Sequence, residues 1–173
     1  MTQFGYTLKP LLLGDKTETS RLVHEGDYTW VCGEMDAPWK PRGFTSLYSS
    51  VHHASDRPRF VAGKDYPIEP GRGKKSVGRY RILTIWRQDV RTMLLAQREA
   101  EGFHDLYGFW MVWGKMYDAG FLSKNGIYAY CAELKNRPED RYRAWRMEIE
   151  VLWDTIQWDA PAVQALAIPV RTA

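Results

Sequence analysis

Gly78-Arg79-Tyr80-Arg81-Ile82-Leu83-Thr84-Ile85-Trp86 is the stretch that decides the fold class. Arg79 and Arg81 alternate with Tyr80 and Ile82, so the basic side chains project from one face of a strand and the apolar ones from the other. Tyr142 to Trp153 alternates in the same way, with Trp145, Met147, Ile149 and Val151 inward. Shorter strand candidates lie at Tyr28 to Cys32, Ser46 to His52, Arg59 to Ala62 and Ile127 to Leu134. Leu11 to Leu13 followed by Gly14 is a helix end or turn. Asp89 or Thr92 caps a short helix that runs to about Glu101, with Gly102 in the stop position. Asp105 caps a second helix, whose Leu106, Phe109, Trp110, Trp113, Met116 and Tyr117 fall at three-and-four spacing, and which Gly120 closes. Short strands with two helices make the class α+β: a small curled sheet or barrel carrying helices.

The chain has 173 residues, enough for one domain with a sizeable core. It is 45% hydrophobic and 26% charged, which excludes a disordered chain. No apolar run is long enough to span a bilayer, so no membrane partner is expected. Met1 to Lys9 lacks a basic-then-apolar leader pattern, which points to the cytoplasm. Cys32 and Cys131 make no disulfide framework and read as buried packing thiols. Four histidines without a Cys/His spacing pattern suggest no metal site, and no cofactor is expected.

The net charge of +3 hides a cluster. Between Gly71 and Arg91 stand Arg72, Lys74, Lys75, Arg79, Arg81, Arg87 and Arg91 against one acid, Asp89, so the rest of the chain is net acidic. Such a stripe is either a solvated strand face or a phosphate-binding surface, because neutralising backbone charge drives nucleic-acid association. Aromatics make up 14% of the chain, and most are core. Trp30 and Trp86 lie on strands, where an indole facing a cleft can stack on a base.

Three segments, in order, carry a resemblance. Gly14-Asp15-Lys16-Thr17-Glu18-Thr19-Ser20-Arg21 fits a Gly-x-Lys-Thr-x-Thr-x-Arg signature; Gly26-Asp27-Tyr28-Thr29-Trp30-Val31 is a Gly-Asp pair before an apolar strand; Ala100-Glu101-Gly102-Phe103 precedes the aromatic helix ending near Tyr117. Together they resemble the ASCH domain, a small PUA-like β-barrel. The loop Pro70-Gly71-Arg72-Gly73-Lys74, the strand from Gly78 and the stretch Arg137-Pro138 to Trp145 are similar to forms carried by phages and prophages. The resemblance covers about residues 7 to 153. It implies a single barrel domain over residues 1–153, a long insertion at about 33–73, and a C-terminal extension at 154–173. It also implies binding of RNA or a modified nucleoside. One bacterial branch of the family is an amidohydrolase that removes the acetyl group from the exocyclic nitrogen of acetylcytidine. Its catalytic lysine, threonine and glutamate fall by motif position on Lys16, Thr19 and Glu101. The insertion departs from that smaller branch, so the substrate does not carry over with the motif.

The residue types suit acyl transfer, which needs a nucleophile or activated water, a proton donor for the leaving nitrogen and support for the oxyanion. A lysine can serve if burial or a neighbouring cation lowers its pKa, and Arg21 is placed to supply that cation. Glu101 can move protons, and Thr19 offers a hydroxyl. The same residues read equally as a binding site: Lys16 and Arg21 on a phosphate, Glu101 as their ion-pair partner. On either reading Arg72, Lys74, Lys75, Arg79 and Arg81 receive a phosphate backbone and Trp30 a base. The alternatives are a non-catalytic phage or prophage accessory protein that binds RNA or a host protein, with the C-terminal segment as a homodimer contact, and, more weakly, a ribonuclease. Gly71-Arg72-Gly73-Lys74-Lys75-Ser76 fails the Walker pattern at Ile68 and Lys75. His52-His53 reads as a loop pair.

Overall fold

The two longest alternating segments pair with each other. In the computed structural model, which describes residues 6–31, 47–53 and 58–168, β6 (Arg79–Asp89) runs antiparallel to β7 (Arg143–Leu152). They form the centre of a four-stranded antiparallel sheet, flanked by β1 (Glu18–Leu22) beside β7 and β5 (Asp65–Pro67) beside β6. A second antiparallel sheet takes β2 (Tyr28–Val31), β3 (Tyr48–His52) and β4 (Pro58–Val61), with β3 in the middle. An isolated bridge from Leu47 to Trp86 links the two sheets. Among the described residues these ladders do not close into a barrel; the class is mixed α+β. Cys32 and the expected loop from Gly33 to Gly43 lie outside the described residues. No helix of the described residues is long and apolar enough to cross a membrane.

The inward residues of β6 and β7 build the main core. Tyr80, Ile82, Ile85, Trp145, Met147, Ile149 and Val151 pack with Leu8, Leu11 and Leu12 of helix α1 (Leu8–Leu13) and with Val51 and Phe60 of the second sheet. Ile156 and Val163, the latter on the short helix α5 (Pro161–Gln164), join the same core. A second, aromatic cluster joins Phe109, Trp110 and Trp113 of α3 (Leu106–Tyr117) to Tyr130, Tyr142 and Ala144. Asp105 caps α3 as expected, its side chain accepting from Gly108 N at 2.6 Å.

Three expectations are corrected. Ile127 to Leu134 is not a strand: Ala119–Glu133 forms a helix, α4, broken at Gly126, where φ is +76°. Ile127, Cys131 and Leu134 recur at helical spacing and pack against the aromatic cluster, a period that alternating small residues obscured. Gly120 does not close α3, which ends at Tyr117 with Asp118 following; α4 then folds back onto α3. A Cβ on Gly114 would meet Leu122 at 3.0 Å and Tyr130 at 3.3 Å, so this glycine sets the close approach of the two helices. Trp86 faces no open cleft but is buried, with the Arg146 guanidinium 5.5 Å from its ring centre.

Candidate functional site

Lys16 and Glu101 are 85 positions apart, and local backbone geometry brings them together. α1 ends at Gly14, whose φ of +85° turns the chain, and the N–H groups of Asp15 and Lys16 both donate to Pro10 O. Thr17 N–H donates to Ala100 O at 2.8 Å, which ties this turn to the end of α2 (Leu95–Ala100). Thr17 O accepts from Ile149 N, which ties it to β7. Gly102 follows at φ +84°, and a Cβ there would stand 2.7 Å from Pro10 Cβ. It is therefore a glycine for two reasons, its left-handed backbone and the helix end packed against it.

The result is a buried ion pair. Lys16 Nζ donates to Glu101 Oε2 at 3.0 Å and to the Glu101 carbonyl at 2.8 Å. Ser20 Oγ donates to Glu101 Oε1, and Arg146 lies 3.7 Å from the same oxygen while also pairing with Glu18. Lys16 is 3% exposed, Glu101 4% and Arg146 0%. Strand register explains the assembly: Ser20 of β1 and Trp86 of β6 are both partners of Arg146 on β7, so the three form one row across the sheet. Glu101 caps that row from the end of α2.

Burial pushes the Lys16 ammonium down from its ordinary 10.5 to about 8. Glu101 opposes the shift, and Arg21 and Arg146 add to it. Burial also lowers the Arg146 guanidinium, to about 9, which leaves it charged at neutral pH.

These groups line a narrow cleft of about 40 Å³, walled by Tyr6, Phe103, Phe109, Trp113 and Met116. Thr19 and Arg21 line it too, and the Thr19 hydroxyl is buried with no hydrogen-bond partner among the described residues. The cleft has room for a water molecule or a small acyl group. Tyr6, 62% exposed, and Met116, 44% exposed, stand at its rim.

Of the residues expected at the site, the fold brings together Lys16, Thr19, Arg21 and Glu101. Arg72, Lys74 and Lys75 stand exposed on the loop before β6, with Lys74 and Lys75 on a separate groove of about 600 Å³. Arg79 is exposed at the far end of β6, its Nη2 donating to Asp65 O at 3.2 Å. Arg81 pairs with the Asp65 carboxylate at 2.7 Å. Trp30 belongs to β2, but its side chain lies outside those described. Ser20, Glu18 and Arg146 were missed. Ser20 and Glu18 stand inside the quoted signature. Arg146 carried no sequence signal: alternation with inward-facing Trp145 and Met147 sets it on the outer face of β7, which is buried at Ala144 and Arg146 but exposed at Glu150. Comparison with protein-family models, with curated proteins and with solved structures returns no match.

The Lys16 shift makes stability depend on pH. The folded state releases this proton near pH 8 and the unfolded chain near 10.5, so between those values the unfolded state holds more protons. Unfolding free energy therefore gains about 3 kcal/mol from this group as pH rises through the window, and nothing from it below. Urea titrations of wild type and Lys16→Met at pH 7.5 and pH 10 read this directly. Wild type gains stability over the variant at the higher pH; parallel behaviour of the two proteins would remove the premise of a buried, charged Lys16.

Proposed function

We propose that the chain is an amide hydrolase of ASCH type on a PUA-like, partly open barrel, and that it deacylates the exocyclic amine of an acylated cytidine. The observation that carries this reading is the buried Lys16–Glu101 pair at the end of a narrow cleft, with a lysine lowered to about 8. Near that pH Lys16 exchanges its proton readily in both directions, as a group that serves both halves of acyl transfer must. Glu101 takes a proton from the attacking water. Lys16 gives one to the leaving nitrogen, and the unpartnered Thr19 hydroxyl is a donor for the oxyanion. The small volume suits an acetyl-sized group at the bottom, with the base held at the mouth beside Tyr6 and Phe103. The test is turnover of acetylcytidine and a panel of acylated cytosines by wild type beside Lys16→Ala. Absence of turnover across the panel with the folded protein would end the hydrolase reading.

A second reading, RNA binding, is favoured by the exposed lysines of the separate groove, which also takes Ser76 and Gln157. Phosphate contacts through Arg72, Lys74 and Lys75 release counterions, at a cost of about 0.7 in the log–log salt slope per contact with a single strand. Affinity for a single-stranded RNA, measured by anisotropy, is expected to fall about tenfold or more between 50 and 200 mM salt. The triple alanine variant is expected to flatten that slope by about two. A salt-independent affinity would move the reading to a host-protein partner.

A further inference from the structure

Thr19 and Ser20 both line the Lys16 cleft, and their hydroxyls are differently engaged. Thr19 Oγ1 is buried with no hydrogen-bond partner among the described residues, whereas Ser20 Oγ donates to Glu101 Oε1. Strand register puts Ser20 there. It stands opposite Arg146, on the side of the sheet that Glu101 covers, and it is only 3% exposed.

The Glu101 carboxylate is divided between two donors. Oε1 takes the Ser20 hydroxyl, with Arg146 Nη1 3.7 Å away, and Oε2 takes Lys16 Nζ at 3.0 Å. One carboxylate thus links a hydroxyl to an ammonium. A hydroxyl becomes a nucleophile when a fixed base takes its proton, and other groups must hold that base in place. Lys16 and Arg146 both hold Glu101. The size of the cleft then separates this hydroxyl from a water as the first attacker. A water fits where about 10–15 Å³ is free, so the heavy atoms of an acetyl group fill a cleft of about 40 Å³. An acyl group seated there displaces water but not Ser20, which is part of the wall.

We propose that Ser20 is the nucleophile: the acyl group passes from the amine to Ser20 Oγ, and water reaches the carbonyl carbon only after the amine has left. This rests on the amide-hydrolase reading and places its attacking water in the second half of the reaction. The Oγ–C bond forms as Glu101 takes the hydroxyl proton. The C–N bond breaks as Lys16 gives a proton to the nitrogen, and the free amine departs. Glu101 then passes its extra proton to Lys16, the partner of Oε2, which restores both charges. Water next bonds to the ester carbon and gives Glu101 a proton. The C–Oγ bond breaks, the proton returns to Oγ, and the acid leaves. One amide and one water become one amine and one acid.

The test uses the full chain with p-nitrophenyl acetate and, in parallel, acetylcytidine, each quenched in acid during turnover and mapped by peptide mass. A single acetyl is expected on Ser20, as an ester that hydroxylamine removes. Ser20→Ala, checked for a wild-type melting curve, is expected to lose this acetyl and to turn over acetylcytidine at least about a thousandfold more slowly. Ser20→Cys keeps a nucleophile at the same position and is expected to take the acetyl as a thioester. Turnover of acetylcytidine with no acetyl on Ser20, an acetyl on Lys16 in its place, or a wild-type rate in folded Ser20→Ala would overturn the proposal and leave the hydrolase reading standing. An acetyl on Ser20 from the ester, without turnover of any acylated cytosine, would do the reverse. Neither acetyl nor turnover would end both. The map of the wild-type protein keeps the test decisive even if a variant fails to fold.

Discussion

Lys16→Ala is expected to lower turnover of an acylated cytidine by about a thousandfold while the protein stays folded. The rate loss follows from removing the group that carries the proton to the leaving nitrogen. The fold survives because Glu101 is not stranded: Oε1 keeps the Ser20 hydroxyl and the nearby Arg146 guanidinium, while Oε2 and the Glu101 carbonyl lose their donor. The two orphaned acceptors cost about 1–3 kcal/mol each, against roughly 5–15 kcal/mol for the stability of an ordinary domain. Glu101→Gln is the sharper partner experiment. The carboxylate is what opposes the lowering of Lys16, so its neutral isostere sends the lysine further down. Residual activity in Glu101→Gln is therefore expected to fall off at lower pH than in wild type, whose falling limb is centred near 8 as Lys16 loses the proton it must donate. A wild-type rate in Lys16→Ala, or a basic shift of the profile in Glu101→Gln, would sink the assigned roles.

The elements that position this site differed in how openly the sequence displayed them. β6 and β7 were legible because one of their faces is apolar over many residues, and period-two patterning is strong evidence at that length. α3 was legible from its aromatic stripe and its Asp105 cap. The failure at Ile127 to Leu134 has a local cause. Eight residues with Ile, Tyr and Cys among small alanines satisfy both periods, and what decides for a helix is packing against Gly114 of α3, a tertiary contact. Lys16 and Glu101 were both singled out, but composition and spacing do not bring together residues 85 positions apart. Their meeting depends on Gly14, Gly102 and the Thr17–Ala100 hydrogen bond. Arg146 was hidden for the opposite reason. Alternation puts it on the outward face of β7, and only α2 with Glu101 makes that face an interior.

Arg146→Ala is expected to be the most destabilising single change at the site, by about 3–5 kcal/mol. The guanidinium is wholly buried and pairs with Glu18 and Glu101; its Nη2 also donates to Gln97 O at 3.4 Å, and it lies against Trp86. Truncation leaves two carboxylates short of their shared cation and opens a void the size of a long side chain beneath α2. In a chain of this length the loss corresponds to roughly 10 °C in Tm. Charge and volume separate by substitution. Arg146→Lys keeps the charge without the planar fork that reaches both acids, so a part of the loss is expected. Arg146→Met fills the space and leaves the acids uncompensated. Adding Glu18→Gln to Arg146→Met is expected to restore a share of the stability, because an ion pair exchanged as a unit costs less than one broken in half. Urea midpoints for the four variants decide the matter. If Arg146→Ala lies within 1 kcal/mol of wild type, the buried cation does not hold Glu101 in place, and the site would have to be held by Lys16 and Ser20 alone. Lys16→Ala would then unfold the chain rather than silence it, so the stability of one variant sets how the activity of the other is read.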